Sequence, residues 1–247
     1  MNFELVIFDM DGLMVDTERI TLDIAKEVII EMKNKNLNEF TKSVRNLSDK
    51  ELENFLDNFI RKVIGISDRD MCKSFKEAFG ENFDFNKFLD EFRKKREKIY
   101  ETGNIPVKEG LFELLQYLDN KGIKRIVASG STRDVVEYVL KVVGADKYFD
   151  MAICGDELSH GKPEPEIFIK AAQKAGVQRD KCLILEDSEN GIRAAHSAKI
   201  KCIFIKDLVQ PVQEVYNTIF KECKNLSEVI KYLWNVLFCN KNMIDRQ

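Results

Sequence analysis

The chain has 247 residues, with 39 Lys and Arg against 42 Asp and Glu, which gives a net charge of −3. A hydrophobic content of 44% beside 33% charged residues excludes an intrinsically disordered or collagen-like chain. The sequence has no apolar run of about 18 residues, so no transmembrane helix is predicted. Because binding to nucleic acid depends on an excess of Lys and Arg, we expect neither nucleic acid nor membrane as a partner.

The cysteines and the first residues indicate a cellular compartment. Six cysteines are spread along the chain without a C-x-x-C pair, and we interpret them as small buried hydrophobes rather than as a zinc or redox site. The opening MNFELVIFDMDG has no basic n-region and turns acidic after one short apolar run, unlike a secretory signal peptide. We therefore expect a reduced, cytoplasmic protein.

In chain order, the first element is a short apolar run over residues 3–8, which predicts a buried parallel strand. Four similar runs predict further strands over residues 124–128, 151–154, 182–185 and 202–205. Helical patterns separate or follow them over residues 111–121, 132–143, 166–175, 190–198 and 225–239. This alternation predicts an α/β fold with a doubly wound, parallel, five- to six-stranded Rossmann-like sheet.

Residues 16–103 interrupt the alternation and predict an inserted all-helical cap domain. Apolar residues recur there at helical spacing, and nine of the 17 phenylalanines fall in this stretch, enough for a separate core. The polar residues 34–48 predict a connecting loop, and Gly103 and Pro106 mark the return to the strand–helix pattern. We expect an α/β catalytic core over residues 1–15 and 104–247.

Polar side chains follow four of the predicted strands. Ligands bind beyond the carboxyl ends of parallel strands, where the strand order reverses. The candidate residues are Asp9, Asp11, Ser129, Gly130, Ser131, Lys162, Glu186 and Asp187. Converging carboxylates repel one another unless a cation lies among them, and Mg²⁺ suits such oxygen ligands. Lys162 and the serine hydroxyls are suited to phosphate oxygens.

Each of these residues also has an ordinary structural interpretation. Asp9 and Asp11 precede Gly12 and are typical of a turn, and Ser129 precedes a predicted helix that it could cap. Arg133 is a candidate for gripping an anion or a plain first-turn residue of that helix. The turn over residues 65–67 and the loop over residues 131–133 are further candidates for substrate contacts. The order of all the strand-end residues together favours the functional interpretation.

The sequence resembles the haloacid dehalogenase superfamily, in the subgroup of β-phosphoglucomutases and small sugar-phosphate phosphatases with a helical cap. The resemblance is carried by DMDGLMVDTE at residues 9–18, VASGS at 127–131, GKPEPEIF at 161–168 and LEDSENGI at 185–192. It implies Asp9 as the nucleophile that forms an aspartyl-phosphate, and Asp11 as the general acid and base. It also implies a Mg²⁺ site from Asp9, Asp11 and Asp187, with Glu186 as a direct or indirect partner.

Two departures from the mutase pattern favour a phosphatase. Thr21 stands about where the mutases of this family have a histidine, and Asp68 stands where they have an arginine, with Arg69 one position later. The predicted function is hydrolysis of a small-molecule phosphate ester, such as a sugar phosphate, by a monomer or weak dimer. A phosphosugar mutase is the alternative, and a non-hydrolytic phospho-switch or binding protein is a further one.

Overall fold

The structure is a computed structural model in which residues 3–63, 68–208 and 210–244 are described. The chain forms two compact units. The first, here called the α/β unit, comprises Met1–Asp16 and Ile105–Gln247, and the second, the helical unit, comprises Thr17–Asn104. Their roles as catalytic core and cap stay predictions. The turn predicted over residues 65–67 lies outside the described residues.

A six-stranded sheet forms the centre of the α/β unit. Its order is β3-β2-β1-β4-β5-β6, and every neighbouring pair is parallel. The strands are β1 Leu5–Phe8, β2 Lys124–Ala128, β3 Ala152–Ile153, β4 Cys182–Glu186, β5 Lys201–Ile205 and β6 Lys221–Cys223. The predicted fold class is confirmed, and the strand order reverses at β1, which lies between β2 and β4.

Burial of apolar side chains explains the centre of the sheet. Every residue of β1 is buried, and Leu5 lies opposite Lys124 on one side and Cys182 on the other. Strands covered on both faces need continuous apolar sequences, which is the pattern of FELVIF and CLILE. β6 escaped prediction because its sequence KEC is polar, and only Cys223 of this edge strand is buried.

Helices connect the strands of the α/β unit. Five helices of the helical unit precede them in the chain. They are α6 Leu111–Asn120, α7 Arg133–Val143, α8 Glu166–Ala175, α9 Glu189–Ala198, α10 Gln213–Tyr216 and α11 Leu226–Ile244. None of the helices in the described part of the chain is long and apolar enough to cross a membrane.

The helical unit is built around phenylalanine rings. Its helices are α1 Thr17–Lys35, α2 Lys42–Arg45, α3 Asp49–Val63, α4 Asp68–Phe79 and α5 Phe85–Glu101. One cluster of ring contacts joins Phe40, Phe55, Phe59, Phe75, Phe79, Phe83, Phe85, Phe88 and Phe92. Ile24, Val28 and Met32 of α1 are buried in the same core.

The segment over residues 34–48, predicted as a connecting loop, contains more structure than expected. A 3-10 turn spans Leu37–Glu39, and the short helix α2 follows it. Phe40 between them is 1% exposed, and its ring meets Phe79 and Phe83 at centroid distances of 5.8 and 5.5 Å. Phe40 and Val44 are both buried in the core of the helical unit, and these apolar contacts explain why the segment is ordered.

Candidate active site

The first site residues lie just after the carboxyl ends of β1 and β2. Asp9 follows β1, is 6% exposed, and donates its backbone N–H to the Leu185 carbonyl of β4 at 3.1 Å. The chain then turns at Gly12, whose φ of 86° is left-handed and favours glycine. This turn directs the chain away from the strand directly after Asp11.

Asp11 is held by two serine hydroxyls that follow β2. Its Oδ2 accepts hydrogen bonds from Ser129 Oγ at 3.1 Å and from Ser131 Oγ at 3.0 Å. Ser131 also donates its backbone N–H to Ser129 Oγ at 3.0 Å, so the two serines support each other. This pairing fixes one carboxylate oxygen of Asp11 and brings both predicted serines to the end of β1.

Close backbone packing supports the serine loop. Gly155, just after β3, donates its N–H to the Ser131 carbonyl at 2.8 Å. A Cβ atom at Gly155 would lie 2.0 Å from the carbonyl oxygen of Gly130, so only glycine fits there. Sequence reasoning missed Gly155, since the nearest signal was only the end of a short predicted strand.

Lys162 contacts residues at the ends of both β1 and β4. Its ammonium group forms ion pairs with Asp9 Oδ1 and Glu186 Oε1. Lys162 lies in the loop between β3 and α8, 153 residues after Asp9 in the chain. The structure therefore brings the predicted lysine to the predicted carboxylates.

Glu186, the last residue of β4, is fully buried, and both of its carboxylate oxygens have protein partners. Its Oε2 accepts hydrogen bonds from the Asp187 and Ser188 backbone N–H groups at 2.8 Å each and from Ser188 Oγ at 2.9 Å. A Cβ atom at Gly191 would lie 1.8 Å from Glu186 Oε1, so this glycine provides the space for the carboxylate. With Oε1 on Lys162, both oxygens are occupied by protein donors, which favours the indirect of the two predicted metal roles.

The charges in this cluster shift the pKa values of its members. Burial raises the pKa of Asp9 well above its usual value, and the carboxylates of Glu186 and Asp11 add to the rise, while Lys162 opposes it. Burial lowers the pKa of Lys162, but the neighbouring Asp9 and Glu186 outweigh this, and its pKa is raised. Lys162 is therefore a permanent cation among carboxylates.

The carboxylates at the strand ends are oxygen donors of the kind that divalent cations bind. Asp9 and Asp187 follow adjacent strands that are in register, with Phe8 opposite Leu185, and both side chains are buried. With Asp11 and Glu186, four carboxyl groups follow or end these two strands, and Lys162 pairs with two of them, Asp9 and Glu186. A donor set made only of oxygen atoms is the kind that Mg²⁺ prefers.

Arg133, a predicted anion-binding residue, has other partners in this structure. Its guanidinium forms an ion pair with Glu157, and it contacts Glu137 Oε1 and the Ala152 carbonyl at 3.2 Å each. Its backbone N–H donates to Asp156 Oδ1 at 3.1 Å. The structure thus joins Arg133 to the chain after β3.

Comparison with known proteins identifies the family. Residues 6–205 match the family described as haloacid dehalogenase-like hydrolase. This chain belongs to that family. The match includes Asp9, Asp11, Ser129, Lys162 and Glu186, so the whole cluster lies inside the family region. The predicted resemblance is confirmed.

Curated relatives and solved structures agree with this assignment. The chain is 25% identical over 201 residues to the phosphorylated carbohydrates phosphatase of Thermotoga maritima, covering 81% of this chain and 84% of that protein. It is 35% identical over 80 residues to the fructose-1-phosphate phosphatase YqaB of Escherichia coli, covering 32% of this chain and 43% of that protein. These relatives confirm the predicted class of enzyme, a phosphatase of the haloacid dehalogenase type.

A crystal structure shows the same fold. The conserved haloacid dehalogenase-like protein ATU0790 of Agrobacterium tumefaciens superposes with a TM-score of 0.72 at 20% identity. The superposition covers 96% of this chain and all of that one. At this identity the likeness concerns the fold alone.

Proposed function

We propose that this protein is a Mg²⁺-dependent phosphatase that hydrolyses a small phosphorylated metabolite, with sugar phosphates as the expected class. The observation that carries the proposal is the cluster at the strand ends. Asp11 is held by Ser129 and Ser131, and Asp9 is paired with Lys162. The T. maritima and E. coli relatives, named for phosphorylated carbohydrates and fructose 1-phosphate, support the substrate class.

The proposed first step is attack by Asp9 on phosphorus. Lys162 holds Oδ1 of Asp9, so we assign the attack to Oδ2. The new bond joins Oδ2 to phosphorus, and the bond from phosphorus to the ester oxygen breaks. Asp11 gives its proton to the departing oxygen, which leaves as an alcohol. A carboxylate nucleophile in this way divides one difficult displacement into two easier ones.

The proposed second step hydrolyses the aspartyl-phosphate. Asp11, now a carboxylate, removes a proton from a water molecule, and the water oxygen bonds to phosphorus while the bond to Asp9 Oδ2 breaks. The Lys162 ammonium would offset negative charge on the phosphate oxygens in both steps, and the Ser129 hydroxyl would donate a hydrogen bond to them. Bound Mg²⁺, held by Asp9, Asp11 and Asp187, would supply further charge stabilisation on the same oxygens.

The test is phosphate release from a panel of sugar phosphates, nucleotides and phosphoglycolate in the presence of Mg²⁺. We expect turnover of at least one ester, its loss in Asp9→Asn and on chelation of the metal, and no change in Asp146→Asn, an exposed matched control. Circular dichroism checks that Asp9→Asn folds. Failure of every ester in the panel would contradict the proposal.

The same assay separates the mutase alternative. β-Glucose 1-phosphate is supplied with a trace of the glucose bisphosphate, and glucose 6-phosphate and free phosphate are both measured. Faster formation of glucose 6-phosphate than of phosphate would favour a mutase over the phosphatase proposed. The cytoplasmic location and the monomer or weak dimer stay predictions.

A further inference from the structure

Glu166 makes an unusual set of contacts at the start of α8, four residues after Lys162. Its carboxylate accepts hydrogen bonds from the Ser159 backbone N–H, at 3.0 and 3.1 Å to its two oxygens, and from the His160 N–H at 2.9 Å. Lys170, one helical turn later, forms an ion pair with it at 2.6 Å. A first-turn glutamate ordinarily interacts with its own helix end, whereas this one binds the chain that precedes the helix.

These contacts close residues 159–166 into a ring that contains Lys162. Inside the ring the Glu164 N–H donates to the Gly161 carbonyl at 3.0 Å, which forms a turn around the lysine. Lys170 also donates to the Glu157 carbonyl at 2.7 Å, so the ring is tied to the chain after β3. Hydrogen bonds from Lys170, Ser159 and His160 lower the pKa of Glu166 to about 2, which keeps the carboxylate ionised.

We propose that Glu166 is a positioning residue that fixes the base of this loop so that the Lys162 ammonium reaches Asp9 and Glu186. Lysine has a long flexible stem, and its charge is useful at one place only if the backbone that carries it is fixed. The inference rests on the proposed function in so far as it concerns catalysis. The placement of Lys162 itself can be measured without turnover.

The first experiment measures that placement by acetylation of lysines with an N-hydroxysuccinimide ester, followed by mass spectrometry. In the wild type Lys162 is 13% exposed and bound to two carboxylates, so it should react slowly compared with the exposed Lys141. Glu166→Ala should raise the rate at Lys162 several-fold and leave Lys141 unchanged. Glu164→Gln, an exposed carboxyl of the same loop, is the matched control and should match the wild type.

Glu166→Gln is the second variant, since its amide oxygen can still accept one of the backbone N–H groups. It should react at a rate between those of the wild type and Glu166→Ala, and it keeps the test valid if the alanine variant does not fold. Unchanged labelling of Lys162 in a folded Glu166 variant would overturn the proposal. An equal rise at Lys141 in both Glu166 variants would also overturn it, since Glu166 would then support the fold as a whole and not the position of Lys162.

The second experiment asks whether Glu166 acts through Lys162. With p-nitrophenyl phosphate as substrate, Glu166→Ala should lower kcat about 10- to 100-fold, as is typical when a supporting partner of a site residue is removed. In a Lys162→Ala background the same change should have no further effect. An equal loss in both backgrounds would contradict the inference. A wild type that turns over no ester would instead contradict the proposed function, and the labelling would still decide the role of Glu166.

Discussion

The two units stabilise themselves by different means. The helical unit has a cluster of nine phenylalanine rings, six of them buried and three partly buried, and its buried polar residues among those described are Thr17 and Lys33. The α/β unit has an aliphatic core, but it also buries Asp9, Ser129, Glu186 and Asp187 at the ends of its strands. Buried carboxylates oppose folding unless they are paired. The helical unit is thus stabilised by packing. The α/β unit instead loses stability at the ends of its strands, where charged groups are brought together.

The first prediction concerns the packing of the helical unit. Phe75 is 1% exposed and lies at centroid distances of 4.6 Å from Phe88 and 5.0 Å from Phe59. Phe75→Ala should lower the free energy of unfolding of the helical unit by about 3–5 kcal/mol, because it removes a fully buried ring. Denaturant-dependent hydrogen exchange of peptides from Phe85–Glu101 measures this change in the free energy of unfolding. Phe112→Ala, at a 36% exposed ring, is the control and should change the stability far less.

The second prediction concerns the charged groups at the strand ends of the α/β unit. Lys162→Met removes the cation paired with Asp9 and Glu186 and keeps much of the side-chain volume. It should lower the free energy of unfolding of this unit at pH 7 by about 3 kcal/mol, since two buried carboxylates lose their partner. Urea unfolding measures the change, with the exposed Lys141→Met as control. A variant as stable as the wild type would contradict this view, because the buried carboxylates would then not depend on Lys162 for their stabilisation.

A third change tests the space given to Glu186. Gly191→Ala places a Cβ atom where Glu186 Oε1 lies, so the carboxylate must shift and its contact with Lys162 must lengthen. Overpacking of this kind should cost about 2 kcal/mol, and phosphatase turnover should fall with it. Ser197→Ala, at an exposed position of the same helix, is the control for thermal unfolding and turnover. Full activity in Gly191→Ala would show that the site tolerates displacement of Glu186.

The central part of the fold was predictable because its signals are local. The strands β1, β2, β4 and β5 have apolar sequences, and burial on both faces requires that pattern. β6 was missed because an edge strand needs few apolar residues. The sequence around Phe40 predicts a loop, because the partners of Phe40, Phe79 and Phe83, are far away in the sequence.

The site shows the same division between local and distant signals. Asp9, Asp11, Ser129 and Lys162 each follow a predicted strand, and parallel strands bring their carboxyl ends together. Gly191 and Glu166 carried no such signal, because their importance lies in one close approach and in hydrogen bonds to a neighbouring loop. These depend on three-dimensional contacts that composition and spacing do not encode.

The smallest expected effect concerns pH and the loop of Lys162. The pKa of Glu166 is lowered from 4.5 to about 2 because Lys170, Ser159 and His160 donate hydrogen bonds to its ionised form. The unfolded chain therefore takes up this proton first, so the stabilisation is complete above pH 4.5 and is lost as the pH falls toward 2.

Glu166→Gln cannot titrate, so the difference in free energy of unfolding between the wild type and this variant should be constant above pH 4.5 and should shrink as the pH is lowered from 4.5 toward 3. Urea unfolding at several pH values measures it, and Glu164→Gln corrects for the removal of one negative charge. A difference that stays constant over this range would mean that the ionised Glu166 carboxylate does not hold residues 159 and 160. The position of Lys162 at the strand ends would then depend on its own ion pairs alone, and not on the loop that carries it.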